Sequence, residues 1–299
     1  MRKTLFAVTV ALAAAIDASA QAYGVCDVSA AFLRARPSYT SSLETQILMG
    51  TVVEITDKDG YWLKVDTPEP YTAWVNNTSI ARMTKEGLKE WMDAPKVICL
   101  ADHSSVREEP RSTSAQVRDL VRGCILRVDG RHEPGFTGVI IPSGLHGWVR
   151  TEDVFNYAGW KASRHPDGDS VVKEAMRYKG VPYLWGGASM GGVDCSGLTR
   201  MTYLMNGISL PRNASQQQNC GRPVSIEGVL SGHTGHLQKG DLLFFGNKET
   251  GRASHVGIYI GEGRMIHASK IVRVNSIVPG TPDAYENAGK LLYIRRILE

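Results

Sequence analysis

The sequence has no C-x-x-C pair and no long basic run, and each absence excludes a class of protein. A zinc ribbon or a thioredoxin-like redox site requires closely spaced cysteines, so neither is expected. The formal net charge is +4, with acidic and basic residues interspersed along the chain. Nucleic-acid-binding proteins concentrate lysine and arginine on one surface, and the sequence has no such cluster. We therefore predict no nucleic-acid partner.

Long hydrophobic runs are scarce as well. One apolar stretch, residues 4–16, follows Arg2 and Lys3 and precedes the small residues at 18–20. This order is typical of a secretory signal peptide, because the apolar run is too short to span a bilayer and a small-x-small cleavage site follows it. We predict a signal peptide over residues 1–20, no membrane span after its cleavage, and export to the periplasm or the medium.

Candidate metal ligands and cysteine pairs are few. His233 and His236, in the sequence HTGH, have no cysteine or carboxylate set beside them, so we expect them to be loop residues. Five cysteines follow the predicted leader, and the odd number leaves at least one thiol unpaired. Cys99 and Cys124 lie in one β-rich segment and either form a disulfide, which export permits, or pack as small apolar side chains. We expect no metal and no organic cofactor.

Two β-rich segments have related sequences. Residues 34–55 align without a gap with residues 107–128 at an offset of 73. The gapless part contains five identical pairs: Arg34/Arg107, Pro37/Pro110, Thr40/Thr113, Ser41/Ser114 and Gly50/Gly123. A Trp-Val pair near the end of each segment aligns after one inserted residue. Short alternating strands separated by turns, repeated once, predict two small β-barrels of five strands each.

The first copy, with the pattern LRARPSYTSS…LMGTVVEI…GYWLKV…AWV, resembles bacterial SH3-like domains. The second copy resembles them more weakly. We therefore predict SH3-like domains over residues 21–82 and 96–158. The sequence MTKEGLKEWMDAP between them predicts a short helical linker over residues 83–95.

The remaining segment, residues 159–299, has a different pattern. In the sequence DSVVKEAMRYKG, the apolar residues fall on one helical face, and Gly180 ends the helix. A second helical pattern begins at Cys195. Four strand-like runs follow: DLLFF, HVGIYIG, RMIHAS and LLYIRRI. Helices followed by a β-meander predict an α+β fold, with helices packed on an antiparallel sheet.

Cys195 lies between a glycine-rich turn and the second predicted helix, in the sequence GGVDCSGL. The partial positive charge of a helix N-terminus favours a thiolate, and Asp194 or a neighbour is placed to cap the helix. The N–H groups that point outward there also offer an oxyanion site. We therefore predict that Cys195 is a nucleophile.

A thiol nucleophile needs a base, and His255 and His267 are the candidates. They lie in two neighbouring predicted strands joined by the short turn GEGR, so a hairpin would bring their imidazoles together. One histidine can then take the thiol proton while the other fixes the orientation of its ring. A single histidine in a strand is more often structural, and it is the combination with the sequence DCSG that favours catalysis.

Six motifs in residues 165–299 occur in one order: YLWGG, DCSGL, LPRNASQQ, GDLLFF, SHVGIYIG and MIHAS. In this order they resemble the NlpC-type cysteine peptidases of bacterial cell walls. The resemblance implies a papain-like α+β core and hydrolysis of peptides from peptidoglycan. It also implies that Cys195 is the nucleophile, His255 the general base and His267 the residue that orients it. Tyr183 matches the position of a tyrosine near the oxyanion.

Two SH3-like domains ahead of such a core look like the subgroup that cleaves γ-D-glutamyl–diamino acid bonds. In that subgroup the substrate is a stem peptide with a free N-terminal L-alanine, and the first SH3-like domain closes one end of the cleft. Asp194, Ser196 and Ser215 match motif positions that line the substrate pocket. Tyr71 and Glu44 are the contacts that we predict from the first SH3-like domain, with Glu44 as the acidic partner of the amine.

Taken together, the sequence predicts an exported, monomeric cysteine endopeptidase whose partners are murein stem peptides. Two alternatives stay open. One is a hydrolase of the intact sacculus, in which the SH3-like domains bind the polymer and the cleft is open. The other is a wall-binding protein with an inactive core. A requirement for a free amine distinguishes the first alternative, and a reactive thiol at Cys195 distinguishes the second.

Overall fold

The computed structural model describes residues 22–69 and 71–299. The predicted signal peptide, residues 1–20, lies outside the described residues. No helix within the described ranges is long and apolar enough to cross a membrane.

The first β-rich segment forms an antiparallel sheet of seven strands, two more than predicted. They are β1 (Tyr23–Cys26), β2 (Ala30–Arg34), β3 (Leu43–Leu48), β4 (Val52–Asp59), β5 (Trp62–Asp66), β6 (Thr72–Asn76) and β7 (Ile80–Met83). Their order in the sheet is β3-β2-β6-β5-β4-β1-β7. Leu33, Val65 and Val75 are buried in its small core, because alternate strand residues face inward. A 3₁₀ turn, Asn77–Ser79, precedes the last strand.

A helix and a second seven-stranded sheet follow. The predicted helical linker is helix α1 (Lys85–Asp93), whose N-terminus is capped by the hydroxyl of Thr84. The second sheet contains β8 (Lys96–Cys99), β9 (His103–Arg107), β10 (Gln116–Val121), β11 (Ile125–Glu133), β12 (Phe136–Ile140), β13 (His146–Arg150) and β14 (Val154–Asn156). Its order, β10-β9-β13-β12-β11-β8-β14, repeats that of the first sheet strand by strand. A 3₁₀ turn, Thr151–Asp153, precedes β14.

The identical arginine–serine pairs of the two copies make the same contact. The guanidinium of Arg34 donates to the carbonyl of Ser41 at 2.6 Å, and that of Arg107 donates to the carbonyl of Ser114 at 2.6 Å. Gly50 has a φ of +90°, which side chains rarely tolerate, and the glycine at the equivalent position of the second copy has a φ of +94°. The sequence repeat is therefore also a structural repeat.

The C-terminal unit is α+β, as predicted. Its helices are α2 (Tyr157–Ala162), α3 (Gly168–Arg177), α4 (Cys195–Leu204) and α5 (Ala214–Gln217), with 3₁₀ turns at Val229–Ser231 and Ala288–Lys290. Its strands are β15 (Ala188–Ser189), β16 (Gly192–Val193), β17 (Arg222–Val224), β18 (Leu242–Asn247), β19 (Arg252–Gly261), β20 (Arg264–Ser269), β21 (Ile271–Ser276) and β22 (Leu291–Arg296). The six-stranded sheet has the order β17-β22-β18-β19-β20-β21, and β17 and β21 were not predicted.

The three units pack against one another through buried polar contacts. Arg122, in the second β-rich unit, forms a bidentate ion pair with Glu174 of α3, at 2.6 and 2.8 Å. The first β-rich unit contacts the C-terminal unit through Gln46, whose side-chain oxygen accepts the backbone N–H of Ala188 at 2.8 Å. These contacts hold β3 of the first unit beside the start of α4, where Cys195 lies.

Candidate active site

Cys195 is the first residue of helix α4, as the sequence predicts. The carboxylate of Asp194 caps this helix and accepts the backbone N–H of Gly197 at 2.7 Å. Gly186, with a φ of +76°, donates its N–H to the same carboxylate at 2.9 Å. A side chain at Gly186 would meet the backbone of Leu43 at 2.7 Å, so the glycine allows the first β-rich unit to approach.

The pKa of the Cys195 thiol lies well above neutral pH. Burial, with the charge of Asp194 adding to it, raises the pKa of Cys195 to about 11. Hydrogen bonds from the backbone and the guanidinium of Arg212 act in the opposite direction but do not outweigh burial. The backbone N–H of Ser196, at the start of the helix, favours the thiolate, but burial outweighs this effect. A base must take the proton.

His255, His267 and Asn275 form a chain of hydrogen bonds across three strands. Nε2 of His255 lies 2.8 Å from Nδ1 of His267, and Nε2 of His267 lies 2.9 Å from Oδ1 of Asn275. The amide nitrogen of Asn275 donates to the backbone carbonyl of Asp283 at 2.7 Å, which fixes the orientation of the amide. The arrangement of a base held by a second histidine thus has a third member that the sequence did not reveal.

The chain of hydrogen bonds also determines the tautomers of both rings. Because Oδ1 of Asn275 can only accept, Nε2 of His267 carries a proton. Its Nδ1 then accepts from Nε2–H of His255, so Nδ1 of His255 is unprotonated. Burial lowers the pKa of His255 to about 3, and the repulsion that a protonated His267 would exert and the positive charge of Arg273 act in the same direction. His255 is therefore neutral at pH 7, and the lone pair of its ring is on Nδ1.

Tyr285 packs against both imidazoles. Its ring stacks on His255 with centroids 5.2 Å apart and an interplanar angle of 26°. It meets His267 edge-on, with centroids 4.9 Å apart at 69°. Phe245 packs edge-on against Tyr285, with centroids 5.0 Å apart, and its ring centroid lies 6.1 Å from that of His255. Because these rings exclude water from the histidine pair, they contribute to the low pKa of His255.

A cleft of about 400 Å³ brings the predicted residues together. Its lining contains Cys195, His255, Tyr183, Asp194, Ser196, Ser215, Tyr71 and Glu44, together with Trp185, Arg212, Asn213, Ala214, Arg252, Ala253 and Ser254. His267 lies behind His255 and is fully buried. Burial raises the pKa of Tyr183 to about 12, so its hydroxyl is a hydrogen-bond donor at neutral pH.

Asp194 lines the cleft, but its carboxylate is occupied. Arg212, itself buried, donates to both oxygens of Asp194 and, at 3.0 Å, to the hydroxyl of Ser196. Nε of Arg212 donates to the hydroxyl of Thr45, in β3, at 2.9 Å. The charge of Asp194 is therefore offset within the protein by Arg212.

The first β-rich unit contributes a tyrosine–glutamate pair to the lining of the cleft. The hydroxyl of Tyr71 donates to Glu44 at 2.6 Å, and Ser42 donates to the other oxygen of Glu44 at 2.8 Å. Burial and the nearby carboxylate raise the pKa of Tyr71 to about 12, so this hydroxyl stays a donor. No arginine or lysine pairs with Glu44 in the part of the chain that the structure describes.

The other predicted residues play no part in the cleft. The cysteines of the described residues are all free thiols, so Cys99 and Cys124 are not joined by a disulfide and pack as small apolar side chains. Among the residues from 22 onward that are described, no group of three or more histidine, cysteine or acidic side chains is placed to hold a metal ion, and His233 and His236 lie in a loop.

Two family models match parts of the C-terminal unit and of the first β-rich unit. A family model described as the NlpC/P60 family matches residues 180–285, and a model described as the bacterial SH3 domain matches residues 29–81. A γ-D-glutamyl-L-lysine dipeptidyl-peptidase of Bacillus cereus is 31% identical over 267 residues, which cover 85% of this chain and 76% of that protein. The chain belongs to the NlpC/P60 family.

Two further relatives support the NlpC/P60 assignment. Dipeptidyl-peptidase 6 of Lysinibacillus sphaericus is 30% identical over 253 residues, which cover 82% of this chain and 88% of that protein. The crystal structure of an NlpC/P60 family protein from Bacillus cereus superposes with a TM-score of 0.77 at 25% identity, covering 93% of this chain and 100% of the other. The predicted family and fold are thereby confirmed. The SH3-like class of the second β-rich unit stays a prediction, supported by its strand order.

The sequence does not predict several residues in or behind the cleft. Asn275 lies in β21, and the alternating sequence IVRVNS could have indicated this strand. Tyr285 comes from a loop, and nothing in its sequence context indicates a position against the histidines. Arg212 and Arg252 lie inside or beside recognised motifs, but their positions in the cleft follow only from the packing of distant segments.

Proposed function

We propose that this NlpC/P60 protein is a cysteine peptidase that hydrolyses the γ-D-glutamyl–diamino acid bond of murein stem peptides with a free N-terminal L-alanine. The observation that carries the proposal is that Glu44 and Tyr71 of the first β-rich unit line the same cleft as Cys195 and His255. An acidic wall within reach of the nucleophile limits the length of peptide that can lie before the scissile bond. The protein would act outside the cytoplasm, where such peptides are released.

The first half of the reaction forms an acyl-enzyme. Nδ1 of His255 takes the proton of the Cys195 thiol as the sulfur attacks the γ-carbonyl of D-glutamate. The negative charge that develops on the carbonyl oxygen is stabilised by the N–H of Cys195 at the start of α4 and by the hydroxyl of Tyr183. His255 then donates its proton to the amine of the diamino acid, which leaves as the carbon–nitrogen bond breaks.

The second half releases the dipeptide. The neutral His255 takes a proton from a water molecule, whose oxygen attacks the thioester carbonyl. The carbon–sulfur bond breaks, L-alanyl-γ-D-glutamate is released as a free acid, and the proton held by His255 returns to the sulfur of Cys195. His267 and Asn275 keep the His255 ring in one tautomer through both halves of the cycle.

Recognition of the free amine follows from the charges at the closed end of the cleft. Glu44 is an anion whose ion-pair capacity is unused in the described chain, and the Tyr71 hydroxyl orients it. Asp194 does not fill this role, because Arg212 neutralises it. An ammonium group would pair with Glu44, whereas an acylated nitrogen would present a neutral amide and additional bulk to the same wall. Ser215 is available to donate a hydrogen bond to the peptide, whereas Ser196, whose hydroxyl donates to Asp194 at 3.2 Å, contributes to the wall of the pocket.

The proposal is tested by mass spectrometry of digests by the purified protein. The substrates are L-Ala-γ-D-Glu-L-Lys, the meso-diaminopimelate analogue, and N-acetylated forms of both. We expect L-Ala-γ-D-Glu from the free-amine peptides alone, and no product from a Cys195→Ala variant. Equal cleavage of acetylated and free peptides would show that the cleft is open and would favour a hydrolase of intact peptidoglycan. Full activity of Cys195→Ala would contradict the proposed mechanism.

The closed end is tested separately with Glu44→Gln and Tyr71→Phe. We expect Glu44→Gln to raise KM for the free-amine peptide about tenfold to a hundredfold, because a charge-assisted hydrogen bond is lost. Tyr71→Phe, which keeps the wall and removes only the hydroxyl, should have a smaller effect. Glu54→Gln in β4, outside the cleft lining, is the matched control. An unchanged KM in Glu44→Gln would assign the amine to another residue.

A further inference from the structure

One cationic side chain in the cleft has no partner. Arg212 is bonded to Asp194, so these two charges offset each other. Arg252 also lines the cleft and is exposed. Within residues 22–69 and 71–299, its side chain forms no ion pair and no hydrogen bond, and only its backbone N–H is bonded, to Thr250. The cleft therefore contains an anion at its closed end, Glu44, and an unneutralised guanidinium elsewhere in its lining.

A β-bulge directs Arg252 to the same face of the sheet as His255. In the pairing of β18 with β19, Phe245 is opposite His255, whereas Asn247, two residues further along β18, is opposite Arg252, three residues earlier in β19. Phe245 and Asn247 share a face because strand side chains alternate, so Arg252 and His255 share it too. In a regular strand, a separation of three would place them on opposite faces.

The bulge also sets the distance between the two residues. The partners of His255 and Arg252 in β18, Phe245 and Asn247, are two residues apart, which is roughly 7 Å along the strand. Arg252 and His255 are therefore neighbours along the same face of β19, and His255 is the base proposed to act on the scissile bond. Ala253, the residue between the bulge and Arg252, is buried in the core on the other face, which is consistent with this change of register.

We propose that Arg252 binds a carboxylate of the substrate next to the scissile bond. This inference deepens the proposed function and rests on it. A γ-linked glutamate retains its α-carboxylate, which only a short side chain separates from the scissile carbonyl. The diamino acid on the other side of that bond has an α-carboxylate of its own when the peptide ends there. A guanidinium can bind either group through two parallel hydrogen bonds, so charge complementarity points to a carboxylate in both cases.

Three peptides separate these two sources. The first is L-Ala-γ-D-Glu-L-Lys with both carboxylates free. In the second, the α-carboxylate of the glutamyl residue is an amide, which makes it an isoglutamine. In the third, the carboxylate of lysine is an amide. Each is tested with the wild-type chain, with Arg252→Gln, with Arg252→Lys, and with Arg222→Gln. Arg222 lies in the edge strand β17 and is exposed, so it is a matched arginine outside the cleft.

The expected result is a loss that depends on one carboxylate. Arg252→Gln should lower kcat/KM for the first peptide about tenfold to a hundredfold, because a hydrogen bond to a charged group is removed. For the peptide in which the recognised carboxylate is already an amide, the variant and the wild-type chain should have equal kcat/KM. Arg252→Lys should retain part of the activity, because it keeps the charge and loses the bidentate geometry. Arg222→Gln should match the wild-type chain throughout.

Other outcomes overturn the inference in distinguishable ways. If Arg252→Gln lowers kcat/KM by the same factor for all three peptides, or for none, Arg252 binds neither carboxylate, while the proposed function stands. If the wild-type chain cleaves none of the peptides, the proposed function fails and the role of Arg252 fails with it. Thermal unfolding of each variant at one pH checks that the fold is retained, which we expect because Arg252 is exposed.

Discussion

The side-chain oxygen of Asn275 lies 2.9 Å from Nε2 of His267, and this contact determines which nitrogen of the neighbouring His255 can act as a base. The proton on Nε2 of His267 forces its Nδ1 to accept, which in turn holds the proton of His255 on Nε2. A residue that does not line the cleft thus controls the tautomer of the residue that does. Asn275 is a positioning residue.

Replacing Asn275 should slow the chemical step and leave substrate binding unchanged. We expect Asn275→Ala to lower kcat about tenfold to a hundredfold, a part of what a positioned general base contributes, with little change in KM. Asn247→Ala, at the exposed end of β18, is the control. The nitrogen-15 shifts of the imidazoles should show mixed tautomers in Asn275→Ala and one tautomer in the wild-type chain. A variant with altered KM and a single tautomer would contradict the role assigned to Asn275.

Cys195 should react with iodoacetamide as a buried thiol does. Because burial raises its pKa to about 11, the fraction of thiolate, and with it the alkylation rate, should rise about tenfold for each pH unit between pH 7 and 10. A preformed thiolate–imidazolium pair would instead give a rate that is already constant at pH 6. The rate is measured by mass spectrometry of the peptide that contains Cys195. The half-buried thiol of Cys220 is the internal comparison.

Tyr285 should exclude water from the imidazole of His255, and its removal should alter the pH dependence of kcat/KM. Tyr285→Ala would admit water to the imidazole and raise the pKa of His255 from about 3 toward its ordinary value. The acidic limb of kcat/KM should then move upward by at least one pH unit. Tyr285→Phe keeps the stacked ring and should retain the wild-type profile. If Tyr285→Phe shifts the acidic limb as far as Tyr285→Ala does, the hydroxyl of Tyr285 matters and the stacked ring does not. If neither variant shifts it, Tyr285 does not control the pKa of His255.

The sequence predicts the three proposed catalytic residues, but not the residues around them that set their protonation or bind the substrate. Cys195, His255 and His267 lie in helices and strands with strong local patterns and recognised motifs, so their meeting follows from the α+β fold. Asn275 and Arg252 could not be placed in the same way, since the position of one depends on an unpredicted strand and that of the other on a bulge. The net direction of the pKa shift at Cys195 does not follow from the sequence either, because the sequence reveals a helix terminus but not how deeply it is buried.

Acid should destabilise the fold through the histidine pair. Burial lowers the pKa of both His255 and His267, so the unfolded chain binds more protons than the folded chain below the ordinary value of 6.5. Stability should therefore fall as the pH falls from 6.5 toward about 3, by about 1.4 kcal/mol per pH unit for His255. Urea unfolding at pH 7 and pH 5 measures the slope. It should be shallower in His255→Gln, and equal slopes would contradict the burial of a neutral imidazole.

Arg212 should couple the first β-rich unit to the helix that carries Cys195. Its guanidinium bridges Thr45 of β3 and Asp194, the cap of α4, and all of these side chains are buried. Arg212→Met leaves Asp194 as an unpaired buried anion, so we expect a loss of about 3–5 kcal/mol in the free energy of unfolding. Because an uncompensated Asp194 also raises the pKa of Cys195, alkylation of any folded Arg212→Met should be slower at pH 8.

Thr45→Val tests the contact between the units without removing the charge of Arg212 from Asp194. This variant removes one hydrogen bond to Arg212 and leaves the Asp194 ion pair intact, so we expect a loss of about 1–2 kcal/mol and an unchanged alkylation rate at Cys195. Urea unfolding and iodoacetamide labelling of both variants test the coupling together. If Thr45→Val is as unstable as Arg212→Met, contact between the units dominates over charge compensation. If neither variant differs from the wild-type chain, the bridge contributes nothing to the site.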